Sequence, residues 1–125
     1  MKSVIIISPL KNELSRIQKI WRKNGRSEFV SDIIDDSVSL EFKENQYIIV
    51  DYLKNGAIHY NNSQLHNNIL QNYSFYTISY STKNILIYFM FFTNFSSLCY
   101  IDNDHGDIIK LDLLSIEFIN DFLKD

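Results

Sequence analysis

The chain has one cysteine, Cys99, so no disulfide can close within it, and such usage suits a reducing compartment. It has one proline, and its three glycines, Gly25, Gly56 and Gly106, are scattered. No glycine-rich phosphate loop can be built from them, which removes the commonest nucleotide-binding motifs. Linkers of Pro, Gly or Ser and internal repeats are both missing, so residues 1–125 read as one domain with enough chain to bury a core. Long apolar runs are scarce as well. After Lys2 too few apolar residues follow for a secretory signal, against roughly 7–15 required. The charge-free run from Asn84 to Ile101 is interrupted by Thr93, Asn94, Ser96 and Ser97, and it falls short of the roughly 20 residues of a membrane span. It reads as two buried strands and a turn. A cytoplasmic protein is expected, with no membrane partner.

Charge is present but unevenly placed. The net charge is −3, yet residues 1–26 hold seven of the twelve lysines and arginines and one acid, Glu13. The remaining chain is acidic. An acidic body argues against direct binding of nucleic acid and fits a basic protein partner.

Periodicity predicts the elements. Val4 to Ile7 is a β-branched run, a buried strand. Ser8-Pro9 fits a helix start, and Leu10, Leu14, Ile17 and Trp21 recur at helical spacing up to Asn24-Gly25. Residues 29–34 are ambiguous between an extended connection and a short strand. From Asp36 the period becomes two, with Val38, Leu40 and Phe42 on one face. Glu44-Asn45 turns the chain into 46–53, where Ile48, Val50 and Tyr52 face one way. Asn55-Gly56 signals a hairpin into 57–61. A short helix fits 63–72. Residues 73–81 and 85–92 read as a hairpin across Thr82-Lys83-Asn84, with ILIYFMFF as a central strand apolar on both faces. Strands at 98–102 and 107–113 follow, then a helix capped by Ser115 that carries Ile116, Ile119, Phe122 and Leu123. The sum is an α+β fold: mainly antiparallel β-sheet, an N-terminal amphipathic helix, a C-terminal helix and room for one short middle helix.

The stretch CYIDNDHGDIIKLDL, residues 99–113, looks most like a site. A calcium loop needs acids at positions 1, 3 and 5, glycine at 6 and glutamate at 12. From Asp102, position 5 is Gly106, position 6 is Asp107 and position 12 is Leu113. The spacing fails, and a hairpin turn that presents Asp102, Asp104, His105 and Asp107 to solvent accounts for the pattern. Cys99 and His105 make no nucleophile–base pair, since one sits in a strand and the other on a turn tip. His59 and His66 lack zinc-spaced partners. No catalytic residue, metal or cofactor is assigned, and an enzyme is not expected.

Arg16, Lys19, Lys23 and Arg26 fall on one face of the first helix and its exit. That face could grip phosphates, but a solvated face opposite Leu14 and Trp21 is the simpler account. The acidic side is more informative. With Val38, Leu40 and Phe42 inward, Ser37, Ser39 and Glu41 point outward beside Asp35 and Asp36, and Tyr47, Ile49 and Asp51 point outward from the adjacent run. Such a mixed face suits a basic protein partner, with carboxylates steering and the aromatic anchoring. A solvated sheet face, or one covered by a helix, would show the same pattern.

Small size, an acidic body and an α+β plan without a catalytic set give a chain that resembles bacterial immunity proteins. These include the kind used against contact-dependent growth inhibition toxins. Two stretches have the same flavour, FVSDIIDDSVSLEF and the ending DIIKLDLLSIEFINDFLKD. The resemblance implies a cytoplasmic inhibitor that binds a cognate toxin domain, often a basic nuclease, and occludes its active site; it carries over no binding residues. A basic cleft would be met by an acidic face, so the outward residues Asp35, Asp36, Glu41, Tyr47 and Asp51 are the candidate toxin-binding residues, with Asp102, Asp104 and Asp107 as a second patch. The competing reading is a small regulatory or nucleic-acid-binding protein that uses the basic helix.

Overall fold

The computed structural model describes residues 2–104, 106–113 and 116–123. The fold is α+β. Seven strands form one antiparallel sheet: β1 (Lys2–Ser8), β2 (Phe29–Val30), β3 (Ser37–Glu41), β4 (Tyr47–Leu53), β5 (Ser74–Tyr80), β6 (Tyr100–Asp102) and β7 (Ile108–Lys110), in the order β2-β3-β4-β5-β1-β6-β7. The described residues also form four α-helices: α1 (Glu13–Asn24), α2 (Asn67–Asn72), α3 (Lys83–Thr93) and α4 (Ile116–Leu123).

The strand alternation sets which face is buried. Val4 and Ile6 of β1, Val38 and Leu40 of β3, Ile48 and Val50 of β4, Ile78 and Tyr80 of β5 and Ile101 of β6 all point to one side. They join Leu14, Ile17 and Trp21 of α1, Leu86, Phe89 and Met90 of α3, and Ile119, Phe122 and Leu123 of α4 in one core. Each side chain taken fully out of water there contributes about 1.5–3 kcal/mol. Trp21 is central. Its ring stacks near Phe89 at 5.8 Å and meets Phe42 and Tyr88 edge-on, while its indole N–H donates to Thr93 Oγ1 at 2.9 Å. The indole is buried without an unmade hydrogen bond, as a buried N–H requires.

Among the described residues, one part of the outer face is covered. There the chain from Lys54 to Tyr73 folds back, and Leu65 and Ile69 pack with Ile7 and Phe75 in a smaller core.

Several expected elements differ. ILIYFMFF is not a strand: Ile85, Leu86, Phe89, Met90 and Thr93 are the buried positions, a helical spacing inside α3. Thr82, expected in a hairpin turn, caps that helix by accepting from Ile85 N at 3.3 Å, and Asn94 ends it with φ 53. Asn55-Gly56 opens no hairpin; Gly56–His59 is a single 3-10 turn. The first helix starts at Glu13 with Asn12 before it, and Ser8 closes β1. Leu10 therefore lies outside the helical stripe and is exposed. Gly25 follows α1 with φ −73, an ordinary extended conformation. The runs expected at 36–42 and 46–53 stand as β3 and β4, and the short middle helix as α2. Residues 29–34 resolve into β2 and the start of a tight turn. No helix among the described residues is long and apolar enough to cross a membrane. The expected Ser115 cap lies outside the described residues.

Candidate functional site

The part of the outer face that the 54–73 segment leaves open is built from three cross-strand rows. In the first, Ser37 of β3 opposes Asp51 of β4, which opposes Thr77 of β5; Ile5 and Asp102 extend the row beneath the 54–73 segment. The second runs Ser39, Ile49, Ser79, Ser3. The third is Phe29 of β2, Glu41 and Tyr47. None of these twelve residues is lysine or arginine. Antiparallel sheets commonly leave one face wet, so openness alone is ordinary. Less ordinary is the presence of a half-exposed isoleucine, a tyrosine and a phenylalanine among the carboxylates. Tyr47 and Ile49 are both half-buried. Phe29, Ser39, Glu41, Tyr47 and Ile49 line a groove of about 560 Å³ at this end of the sheet.

The first group of predicted acids is gathered near this face. Glu41 is exposed and Asp51 half-buried. Asp35 and Asp36 differ from their expected place at the strand's start. They are the two central residues of a tight turn, with φ 52 and 58, closed by reciprocal backbone bonds between Ile34 and Ser37 at 3.0 and 3.1 Å. Both dihedrals lie in the left-handed region that a two-residue hairpin needs, and aspartate tolerates it better than most residues. Both side chains are exposed at the rim. The ion pairs among the described residues are Arg16–Glu13 and Arg22–Asp32. Asp35, Asp36, Glu41 and Asp51 therefore have no cation of their own there.

The second acidic group divides. The strands β6 and β7 do form a hairpin, with Gly106 at φ 96, so the turn expected at 102–107 is present. Asp102, expected in solvent, is instead buried. It accepts a hydrogen bond from the Tyr60 hydroxyl at 2.6 Å and from Asp104 N at 2.8 Å. Burial, the bond to Asp102 and the charges of Asp102 and Asp104 push the Tyr60 hydroxyl far above the ordinary tyrosine range. Asn103 is buried too and donates to the Phe122 carbonyl at 2.6 Å, which pins the turn to α4. Asp104 and Asp107 remain exposed. The register puts Asp102 on the same sheet row as Asp51, three strand spacings away, about 14 Å at about 4.8 Å each. Tyr60 occupies the approach to it. His105 lies outside the described residues.

The basic helix does not present the expected face. Arg16 turns inward: Nε pairs with Glu13 at 2.6 Å, Nη1 donates to the Thr93 carbonyl at 2.9 Å, and the guanidinium lies over Phe95 at 5.2 Å. Glu13 is fully buried and also accepts from Ser8 Oγ at 2.8 Å. Lys19, Lys23 and Arg26 stay exposed. Cys99 sits just before β6, buried beside this network, and burial pushes its thiol up to about 11. A protonated, enclosed thiol is a poor nucleophile. Among the described residues no three His, Cys, Asp or Glu side chains converge as a metal set.

Sequence reasoning missed Phe29. It lay in a stretch whose conformation was ambiguous, and only the β2–β3 register places it opposite Glu41. Comparison with protein-family models, with curated proteins and with solved structures finds no match.

Proposed function

We propose that this protein is a cytoplasmic immunity protein that binds a basic toxin domain, a nuclease by preference, and blocks its active site with the open outer face of the sheet. The observation that carries the reading is the asymmetry of the sheet's two faces. One is sealed by three helices, while the other keeps Ser37, Ser39, Glu41, Tyr47, Ile49 and Asp51 accessible, with carboxylates that no lysine or arginine of the described chain neutralises. A nuclease cleft is positive because it binds phosphate. Acids at the rim raise the encounter rate, and the apolar residues between them lengthen the complex's life once water is expelled. The inward turn of Arg16 and the Arg22–Asp32 pair weigh against the alternative, a phosphate-binding or regulatory basic helix.

The test is coexpression with a toxin-like domain encoded in a neighbouring reading frame. Growth restored by this protein, and a stable complex of the two purified chains, are expected. A toxin that still kills in its presence, or neighbouring frames of metabolic enzymes only, overturns the reading.

A further inference from the structure

The row Phe29–Glu41–Tyr47 places one carboxylate among two aromatic side chains. The register sets Glu41 between two aromatic residues, Phe29 on the strand to one side and Tyr47 on the strand to the other. All three side chains share the open face. Phe29 is 52 % exposed, a large area for a phenyl ring on a short edge strand. The Glu41 carboxylate, also exposed, has neither a hydrogen bond nor an ion pair within the described chain. Adjacent strands lie about 4.8 Å apart, so Phe29 and Tyr47 are separated by about 10 Å at the backbone. A planar group held between two rings needs roughly 7–8 Å, two contacts of 3.5–4 Å. Small rotations about the side-chain bonds close that difference.

The geometry points to this row as the seat for an arginine side chain of the partner protein. The inference rests on the proposed function and sharpens it to one residue type. A carboxylate flanked by π faces favours a guanidinium over an ammonium for two reasons. The guanidinium is planar and can stack on a ring while donating two parallel N–H bonds to Glu41. It is also less strongly hydrated than the lysine head, so partial enclosure in the groove costs it less. The aliphatic stem of the same side chain would lie on Ile49, in the next row of the groove.

The test is a titration of the full ¹⁵N-labelled chain with N-acetyl-L-arginine amide and, separately, N-acetyl-L-lysine amide, followed by amide chemical shifts. Saturable shifts confined to residues 28–30, 40–42 and 46–48 are expected, with arginine binding about threefold tighter than lysine. Glu41→Gln and Phe29→Ala, both at exposed positions, should each weaken the arginine probe about threefold, while Asp51→Asn leaves it unchanged. Equal affinity for the two probes overturns the inference, as does an unaltered Glu41→Gln, or shifts centred on Asp35 and Asp36. A protein that neutralises its toxin but shows no arginine preference keeps the proposed function and loses this seat. Arginine binding at the row in a protein that restores no growth keeps the seat and removes the toxin.

Discussion

Tyr60 donates a 2.6 Å hydrogen bond to the buried carboxylate of Asp102, across 42 residues of sequence. That bond joins the segment after β4 to the hairpin of β6 and β7, while the Tyr60 ring stacks on Phe75 at 5.4 Å. Asp102 is thereby a structural acid, although it belongs to the most site-like stretch of the chain.

Tyr60→Phe keeps the ring and removes only the hydroxyl. A bond to a charged group contributes about 1.5–3 kcal/mol, and among the described residues Asp102 would keep the Asp104 N–H. Urea unfolding should therefore show a loss of about 2 kcal/mol with an unchanged denaturant slope. A loss under about 0.5 kcal/mol would mean that water replaces the hydroxyl without cost.

Cys99 makes stability depend on alkaline pH in a defined direction. Its thiol titrates near 9 when exposed and at about 11 in the folded chain, where burial outweighs the neighbouring Ser8. Below pH 9 both states hold the proton and its contribution is complete. Between 9 and 11 the unfolded state loses the proton first, so stability falls, by at most about 1.4 kcal/mol per pH unit. Cys99→Ala removes that term. The variant should be less stable at pH 8, by about 1 kcal/mol for the lost buried sulfur, and by pH 10.5 the order should reverse, because the wild type loses about 2 kcal/mol over that range. Paired melts at the two pH values measure it, since the other titrating groups are common to both proteins.

Gly56 is required by its neighbour, not by its backbone angle. A Cβ placed on it would meet Phe75 Cβ at 2.5 Å and Cγ at 2.7 Å. Gly56→Ala should cost about 1–3 kcal/mol through this overlap, because Phe75 is held inside the smaller core. Gly106→Ala offers the contrast: nothing lies within 4 Å, but φ is 96. It should cost about 1 kcal/mol from backbone strain alone. Chemical denaturation of both variants separates a packing glycine from a turn glycine.

Much of this was legible where one face of an element is wet. Val38/Leu40 and Ile48/Val50 alternate with polar residues because the outer side of β3 and β4 is open, so their strands and inward faces could be read directly. The same holds for Leu14, Ile17 and Trp21 in α1. The reading failed where both faces are apolar. In α3, Ile87, Tyr88 and Phe92 pack at the margin of the core around the buried stripe, so the helical period is hidden and only Thr82 and Asn94 mark the ends. Asn55-Gly56 misled because its glycine answers to Phe75, a contact 19 positions away. At the site, the outward residues of β3 and β4 were found by alternation, but Phe29 opposite Glu41 and Tyr60 over Asp102 depend on long-range pairing that local patterns do not encode.

Charge changes on the open face should therefore act on association, and changes at Asp102 on stability. Glu41→Lys with Asp51→Lys reverses two acids of the open face, the first of them lining the groove. Against a basic toxin domain the association rate should fall about tenfold at low salt. The difference should shrink at 1 M salt, where the Debye length drops from about 10 Å to about 3 Å. Asp35 and Asp36 call for asparagine, because lysine at φ above 50 would add backbone strain to the loss of charge. The Asp35→Asn/Asp36→Asn pair should slow association less, about two- to threefold, since the turn sits at the rim. Asp102→Ala should lower stability by about 2 kcal/mol while leaving the association rate within twofold, because Tyr60 already screens that carboxylate from any partner. Stopped-flow association at two salt concentrations, with unfolding curves for each variant, reads both quantities. A rate that responds to Asp102 and ignores Glu41 and Asp51 would move the binding face from the open rows to the β6–β7 hairpin.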